Sequence, residues 1–446
     1  MQLETKIRKP QRTLSGIAIV AVMTSPHRCK HGKCIYCPSV KGIPESYVDN
    51  EPTVMRAKAL NFDAKKQVEK RLEQLSNIEG HCTDKVEIIV MGGTFTERSF
   101  DYQYSFIKGC FDGLNGFVSN CLEEAHMHNE TAKHRCVGLT VETRPDRIDL
   151  KTLENLLGFG VTRVEIGVQI PDNKIYEITK RGHSTKDVIR ATKLLRNAGL
   201  KICYHYMPNL PGSNPRKDLY YFRRLFRDRN FKPDMLKIYP TVVVKNTELY
   251  EMWKRGEYEP YDEETLIELL VKMKKCIPEW VRVMRLFRDI PSNRIVAGCK
   301  KTNLREIVLS RVRCRCIRCR EIGRTQERGE IWFKAIKYRA NNGKEMFMQV
   351  LCGSAVIGLL RLWLPAHRNY GIVRELRVFG KVAPLGTKLK DAVQHRGYGK
   401  YLMKKAEEFC MDYGRDVILV RSAVGTRRYY MRLGYDLRGF YMRKDL

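Results

Sequence analysis

The chain reads as an α/β protein, a full or partial parallel barrel of about six βα units followed by a smaller α+β domain. Three observations predict this. Short β-branched runs alternate with longer helical patterns from residue 16 to about 290; a stretch dense in Arg and Cys with no helical or strand period follows; the runs beyond it succeed one another closely, as in an antiparallel sheet. A length of 446 residues suggests two or three domains, here 1–290, a connector over 291–328, and 329–446.

The elements follow in order. The first strand is "GIAIVAVM" (16–23), and it runs straight into three cysteines. Five more runs follow, "VEIIVMGG" (86–93), "VGLTVET" (137–143), "RVEIGVQ" (163–169), "KICYHYMP" (201–208) and "MLKIYP" (235–240). Between them lie helical segments such as "STKDVIRATKLLRNAGL", with Ser184 as N-cap and Gly199 as the stop. In such a fold the chemistry gathers at the carboxyl ends of the strands, where the cysteines sit. "RVRCRCIRCREIGR" (311–324) reads as a connector without regular structure. Past it, Asn341-Asn342-Gly343 predicts a hairpin. Two strands, a helix over about 395–412, the strand "DVILVRS", a short helix and a last strand complete the chain.

The formal net charge of +32, from 82 Lys and Arg against 50 Asp and Glu, exceeds what solubility requires and implies a polyanionic partner. Nucleic acid comes first and an anionic membrane surface second. No run approaches the roughly 18 apolar residues of a spanning helix, and the N-terminus lacks the layout of a secretory signal, which predicts a soluble intracellular protein. That compartment is reducing, so fifteen cysteines point to metal rather than to disulfides.

Cys29, Cys34 and Cys37 lie within nine residues with no fourth thiol near. If they ligate three irons of a four-iron cluster, the fourth iron keeps an open position for a small molecule; the alternative is a zinc knuckle completed by His27 or His31. Lys237 is a charge within an otherwise apolar strand, which predicts either pairing near an anionic substrate group or snorkelling to solvent. Cys314, Cys316 and Cys319 are again three close thiols. Cys299 is available as a fourth, and together they suit a closed structural zinc. Such a site would rigidify the loop bearing Arg311, Arg313, Arg315, Arg318 and Arg320, a backbone clamp for RNA.

The segments "SGIAIVAVMTSPHRCKHGKCIYCP", "EPTVMRA", "MGGTF", "GLTVETRPD", "YHYMPNLPGS", "NLREI" and "QHRGYG" occur in the order of one family, and nearly the whole chain resembles it. It is the family of the Elongator catalytic subunit, in which a radical SAM domain and a GNAT domain act on the wobble uridine of tRNA. The resemblance implies a radical SAM partial (βα)6 barrel followed by a GNAT acetyltransferase domain. It implies a 4Fe-4S cluster on Cys29, Cys34 and Cys37 that binds S-adenosylmethionine, and an electron donor to reduce it. The Cys-x4-Cys-x2-Cys spacing is longer than is common in the superfamily and is a feature of this family. Gly92 and Gly93 would hold the methionine amino group by close backbone approach. Glu142 would bind the ribose or sulfonium, against the plainer reading of a solvated strand-end Glu.

"QHRGYG", through Gln394, Gly397 and Gly399, resembles the GNAT signature, whose helix N-terminus meets the pyrophosphate of acetyl-CoA. Tyr429 and Tyr430, in the helix beside the thioester of GNAT folds, would contact acetyl-CoA or donate a proton; otherwise they simply pack. The implied reaction joins both halves: a 5′-deoxyadenosyl radical attacks the acetyl methyl, the carbon radical adds to C5 of uridine in the tRNA anticodon stem-loop, and thioester hydrolysis leaves 5-carboxymethyluridine. Family members carry a further basic segment ahead of "KPQRTLSGIAIV", so weaker, strongly salt-dependent tRNA binding is expected. A protein lysine acetyltransferase using the GNAT half alone and a tRNA-binding scaffold are the competing readings. A cytoplasmic monomer or homodimer is expected, with no membrane partner.

Overall fold

The computed structural model describes residues 8–9, 13–325, 329–380 and 396–446. The predicted runs become strands β1 (Ala18–Met23), β2 (Lys85–Met91), β3 (Arg135–Thr143), β4 (Arg163–Gln169), β5 (Lys201–Tyr206) and β6 (Met235–Ile238). Three more strands follow, β7 (Val243–Val244), β8 (Arg282–Arg285) and β9 (Ile295–Ala297). The main sheet runs β1-β2-β3-β4-β5-β6-β8, every pair parallel, while β7 and β9 form a small antiparallel ribbon. β1 and β8 are the two edges of this open barrel. The seventh strand, β8, goes beyond the six units expected, because its "RVMR" carries too few apolar residues to stand out.

Helices return the chain from each strand to the next. Thr185–Asn197 shows why they form where they do: the Ser184 side chain accepts the Asp187 N–H, and the Asp187 carboxylate accepts the Ser184 N–H at 2.9 Å, satisfying two end donors. Gly199, at φ +74°, ends that helix in the left-handed region.

The second sheet comprises β10 (Ile331–Ala340), β11 (Gly343–Cys352), β12 (Ala355–Pro365), β13 (Tyr370–Val378), β14 (Val417–Val420), β15 (Asp436–Arg438) and β16 (Tyr441–Asp445), in the order β10-β11-β12-β13-β14-β16-β15. The expected hairpin is present, with Ala340 paired to Gly343 around Asn341-Asn342. Among the described strands of this sheet only β13 and β14 pair in parallel; they pair over Tyr370–Val373, and β13 continues past the end of β14. Helix Tyr398–Asp412 packs on β12 and β13. The single last strand expected is the hairpin β15–β16, turned at Gly439.

The connector was expected to lack regular structure. Within 311–324 it instead forms the short helix Ile317–Arg320, because Ile317 is buried, so tertiary packing supplies what sequence period did not; helix Leu304–Ser310 precedes that stretch. Among the described residues no helix is long and apolar enough to cross a membrane.

The two sheets meet through buried charge. Asp234, one residue before β6, accepts Arg374 of β13 at 2.5 Å and lies 3.5 Å from Arg361 of β12. Arg374 also reaches Glu345 at 2.8 Å and the Leu200 carbonyl at 2.7 Å, and Arg361 reaches Glu375 at 2.8 Å. Asp234, Arg361 and Arg374 are at most 1% exposed, so each charge depends on the others. Burial alone would raise the Asp234 carboxyl, but Arg374, Arg361 and Arg196 outweigh it and bring it down to about 2. Its contribution is therefore complete above the unfolded-state value of about 3.9 and is lost as pH falls toward about 2. Asp234→Asn, which leaves two buried guanidinium groups short of a countercharge, is predicted to cost about 3–5 kcal/mol at neutral pH. Denaturant unfolding measures this, and the deficit relative to wild type should shrink as pH falls below about 4.

Candidate active site

β1 ends at Met23, and the chain then crosses the carboxyl ends of the strands as a loop carrying Cys29, Cys34 and Cys37. Its backbone is tied on both sides: Ile35 N–H donates to the Thr179 carbonyl at 3.3 Å, Leu249 N–H to the Ile35 carbonyl at 2.9 Å, and Lys30 N–H to Glu97 at 3.0 Å. Cys34 is buried, with Arg181 Nη1 and His31 Nε2 each 3.4 Å from its sulfur; Cys29 Sγ lies 3.8 Å from the Thr94 hydroxyl. A hydrogen bond from Cys37 holds Cys34 well below the ordinary thiol range, and Arg181 and His31 add to it against the effect of burial. One of the three is therefore poised as a thiolate, the form a metal takes.

The three thiols do not form a set with all donor atoms within 4.8 Å, as Cys314, Cys316 and Cys319 do. Sulfurs around one tetrahedral zinc stand roughly 3.8 Å apart, so the wider spacing suits a polynuclear cluster better than a zinc knuckle. They line a cavity of about 500 Å³ at the mouth of the open barrel. On its wall, buried Gln169 Oε1 and Arg144 Nη2 have no hydrogen-bond partner among the described residues, and Gln169 takes the left-handed φ of +61° at the end of β4. Unpaired buried polar atoms and backbone strain at one cavity are the marks of a ligand cradle.

The floor of the cavity is a chain of ionisable groups from four adjacent strands. Tyr47, from the cysteine loop, donates to Glu142 of β3 at 2.7 Å. Lys237 of β6 lies 3.3 Å from Glu142 and also pairs with Glu165 of β4. His205 Nε2 of β5 meets the same Glu165 at 2.7 Å. Strand register causes this: Glu142 is beside Glu165, and His205 beside Lys237. Burial would pull Lys237 down, but Glu165, Tyr239 and Glu142 reverse it and hold the ammonium above its ordinary range. Glu165 is held well below the ordinary carboxylate range; burial opposes this, and Lys237, His205 and Arg163 prevail.

Lys237 thus has the carboxylate pairing that its position in an apolar strand demands, and Glu142 is buried rather than solvated. Glu165, His205 and Tyr47 escaped the sequence reading, although a charge inside "RVEIGVQ" is the same signal that singled out Lys237. Gly93, at φ +92°, borders the cavity; Gly92, at φ +124°, packs against Thr24, where a Cβ would fall 2.1 Å from the hydroxyl oxygen.

A second, basic groove of about 670 Å³ opens between β1 and β8. Ile19, Ala21, Met284, Arg285 and Arg318 line both it and the first cavity, and Arg56, Arg71, Arg282, Arg324 and Arg377 extend it toward the second sheet. Of the arginines read as an RNA clamp, several are engaged within the protein. Arg311 pairs with Glu264, Arg318 donates to the Met284 carbonyl at 2.8 Å, and Arg320 donates to Gln349 at 2.7 Å. Arg318 nonetheless faces both spaces.

In the second domain, Gly397 takes φ +86° and caps helix Tyr398–Asp412. A Cβ on Gly399 would lie 2.7 Å from the Tyr429 hydroxyl, so the glycine motif and the tyrosine meet; that hydroxyl is buried and has no partner among the described residues. Tyr430 packs between Tyr429 and Tyr435 within the domain core. Gln394 lies outside the described residues. Cys314, Cys316 and Cys319 converge as expected, but Cys299 falls outside their group and sits by Glu263 and Lys301. The four-thiol set is therefore corrected to three.

The radical SAM superfamily matches residues 23–220, and the Radical SAM C-terminal domain matches residues 233–313. The chain is 46% identical to the tRNA uridine(34) acetyltransferase of Methanocaldococcus jannaschii, over 98% of this chain and 86% of that protein. It is 40% identical to the Elongator complex protein 3 of Homo sapiens, over 98% of this chain and 86% of that one. The solved structure of archaeal Methanocaldococcus infernus Elp3 with an N-terminal deletion matches with a TM-score of 0.86 at 43% identity, covering 97% of this chain and all of that one. With that identity along nearly its whole length, and with the cavity of an open parallel barrel beside three cysteines, the chain is an enzyme of the radical SAM superfamily and belongs to the family of tRNA uridine(34) acetyltransferases and Elongator complex protein 3.

Proposed function

We propose that the protein carboxymethylates C5 of the wobble uridine of tRNA, using S-adenosylmethionine and acetyl-CoA. The observation that carries this reading is that the thiol-lined cavity and the basic groove adjoin, sharing Ile19, Ala21, Met284, Arg285 and Arg318 in their walls. A flipped base would enter the cavity while its flanking phosphates lie on the arginines of the groove. We assign residues 1–290 to the radical domain, 291–328 to the connector and 329–446 to the acetyltransferase domain, in a cytoplasmic enzyme reduced by an external electron donor.

Cys29, Cys34 and Cys37 would hold a 4Fe-4S cluster, and with S-adenosylmethionine bound at its open iron this centre would supply a 5′-deoxyadenosyl radical. The remaining roles fall to the chain itself. Glu142 and Lys237 present a fixed negative and a fixed positive group to a zwitterionic ligand, and each is already aligned by its partner, so little ordering is needed on binding. Gly93 lets the backbone approach that ligand closely. The cysteine loop, pinned through Ile35, holds its three thiols in place at the cavity.

Gly397 and Gly399 leave the start of helix Tyr398–Asp412 open to the coenzyme A pyrophosphate, and the unpaired Tyr429 hydroxyl is available to the thioester. Tyr430, held in the core, supports Tyr429 by ring contact. The acetyl methyl would lose a hydrogen atom to the adenosyl radical and its carbon would bond to C5 of uridine; the uridine radical so formed would give up one electron to a one-electron acceptor and its C5 proton to solvent, restoring the C5–C6 double bond, and thioester hydrolysis would complete the product.

Cys34→Ser is predicted to abolish the carboxymethyl mass on the wobble nucleoside, read by mass spectrometry after anaerobic reduction, while acetyl-CoA binding stays within about twofold of wild type. Protein acetylation undiminished in Cys34→Ser, with tRNA unmodified even by wild type, would instead favour a lysine acetyltransferase. Glu142→Gln keeps the shape and removes the charge. It should weaken S-adenosylmethionine binding about tenfold or more by calorimetry, with acetyl-CoA affinity unchanged.

A further inference from the structure

A third space, of about 220 Å³, lies past the carboxyl ends of β6 and β8, where the loop after the cysteines, the turns after those two strands and β9 come together. Pro52, Pro240, Val242, Phe287, Ile290 and Ile295 make its wall apolar. Phe287, Arg288 and Asp289 also line the thiol-lined cavity, and Pro52 also lines the basic groove, so the pocket adjoins both. Its volume is below the roughly 300 Å³ at which a site takes a drug-sized molecule, which leaves room for one flat ring and not for a second cofactor.

The charges at its edge favour a ligand that carries negative charge. Arg288, Lys300 and Lys301 border the pocket, and the one carboxylate among the described residues lining it, Asp289, is already paired with Arg285. Lys301 pairs with Glu263 at 3.0 Å, whereas exposed Lys300 has no ion-pair partner among the described residues. Gly298, at φ +100°, makes the turn that leads both lysines to this edge, and Asn50 and Thr302 add hydrogen-bonding groups. An apolar slot with an aromatic wall, polar edge groups and an unpaired lysine suits a splayed base whose phosphate stays outside.

We infer that this pocket holds the unpaired base next to the wobble nucleotide. The inference rests on the proposed function, which puts the wobble base in the thiol-lined cavity. A base seated there fixes where its neighbours lie, since each follows within one nucleotide of backbone. The groove beside β1 takes phosphates, and the pocket across Phe287, Arg288 and Asp289 is the apolar space within reach of a neighbouring base. Phe287, shared by both walls, stands between the two bases. Seating the neighbour apart keeps the wobble base from stacking back on it, which offsets part of the cost of flipping.

Anticodon stem-loop RNA with one abasic nucleotide, at the wobble position or on its 5′ or 3′ side, tests this by fluorescence anisotropy on the full-length protein. Wild type should bind one of the two flanking abasic RNAs about 5- to 100-fold more weakly than intact RNA. Cys299→Phe fills the pocket from a position outside the walls of the cavity and the groove. It should weaken intact RNA by a similar factor and bind the sensitive abasic RNA within about twofold of intact RNA, with the melting temperature and S-adenosylmethionine affinity of wild type. Lys300→Ala should weaken all these RNAs alike and lower the salt slope by about one. Two flanking abasic RNAs that both bind wild type as tightly as intact RNA, or a Cys299→Phe protein that discriminates between RNAs as wild type does, would overturn the inference. If removing the wobble base itself changes nothing, the proposed function falls and this inference with it; if that removal weakens binding and flanking removal does not, this inference alone falls.

Discussion

The carboxylate of Asp234 is the group on which the rest of the arrangement depends. It is held by Arg374 and Arg361 of the second sheet, and it also accepts the Ile202 N–H at 2.8 Å at the start of β5. Three residues further along the chain is Lys237, whose ammonium joins Glu142 to Glu165 on the cavity floor. One buried charge thus fixes the register of β5 and β6, the approach of the second sheet, and through them the alignment of the ligand-facing groups. Buried ion clusters are weak sources of net stability. The value of this one lies in specificity, because any other seating of the two sheets would separate the buried Asp234 carboxylate from Arg374 and Arg361.

Much of this was legible in the sequence because it is local. Ser184 and Gly199 bracket a helix through capping and a left-handed stop, and Asn341-Asn342 turns a hairpin through backbone chemistry carried by those residues alone. The three cysteines at the end of β1 announced a site, and the lone charge at Lys237 announced a partner. The partners themselves were not legible. Arg374 and Asp234 are 140 residues apart, and nothing in either segment says that they meet. Glu165 carried the same lone-charge signal as Lys237, but that it and His205 stand beside Glu142 and Lys237 follows only from the parallel register. Cys299 failed for the converse reason: nearness in sequence to a cysteine cluster suggested a fourth ligand, and folding placed it beside Glu263 and Lys301 instead.

The two domains would be strange companions for separate functions. The parallel pair β13–β14 comes apart where β13 runs on past β14, and Gly399 and Tyr429 meet in the same domain, while the arginine groove runs from the barrel mouth toward Arg377 on β13. The rigid seating around Asp234 keeps these features in fixed relation. The proposed reaction, which would begin on one cofactor and end on another with a polyanion across both, would use this geometry.

The most direct test is an anaerobic reaction of the wild-type protein with reductant, S-adenosylmethionine, tRNA and acetyl-CoA deuterated at the methyl group. If the two domains serve one reaction, 5′-deoxyadenosine acquires deuterium and the rest of the label appears on C5 of the wobble uridine. Unlabelled 5′-deoxyadenosine together with label transferred intact to protein lysines would contradict the account, leaving the two halves as independent machines on one chain.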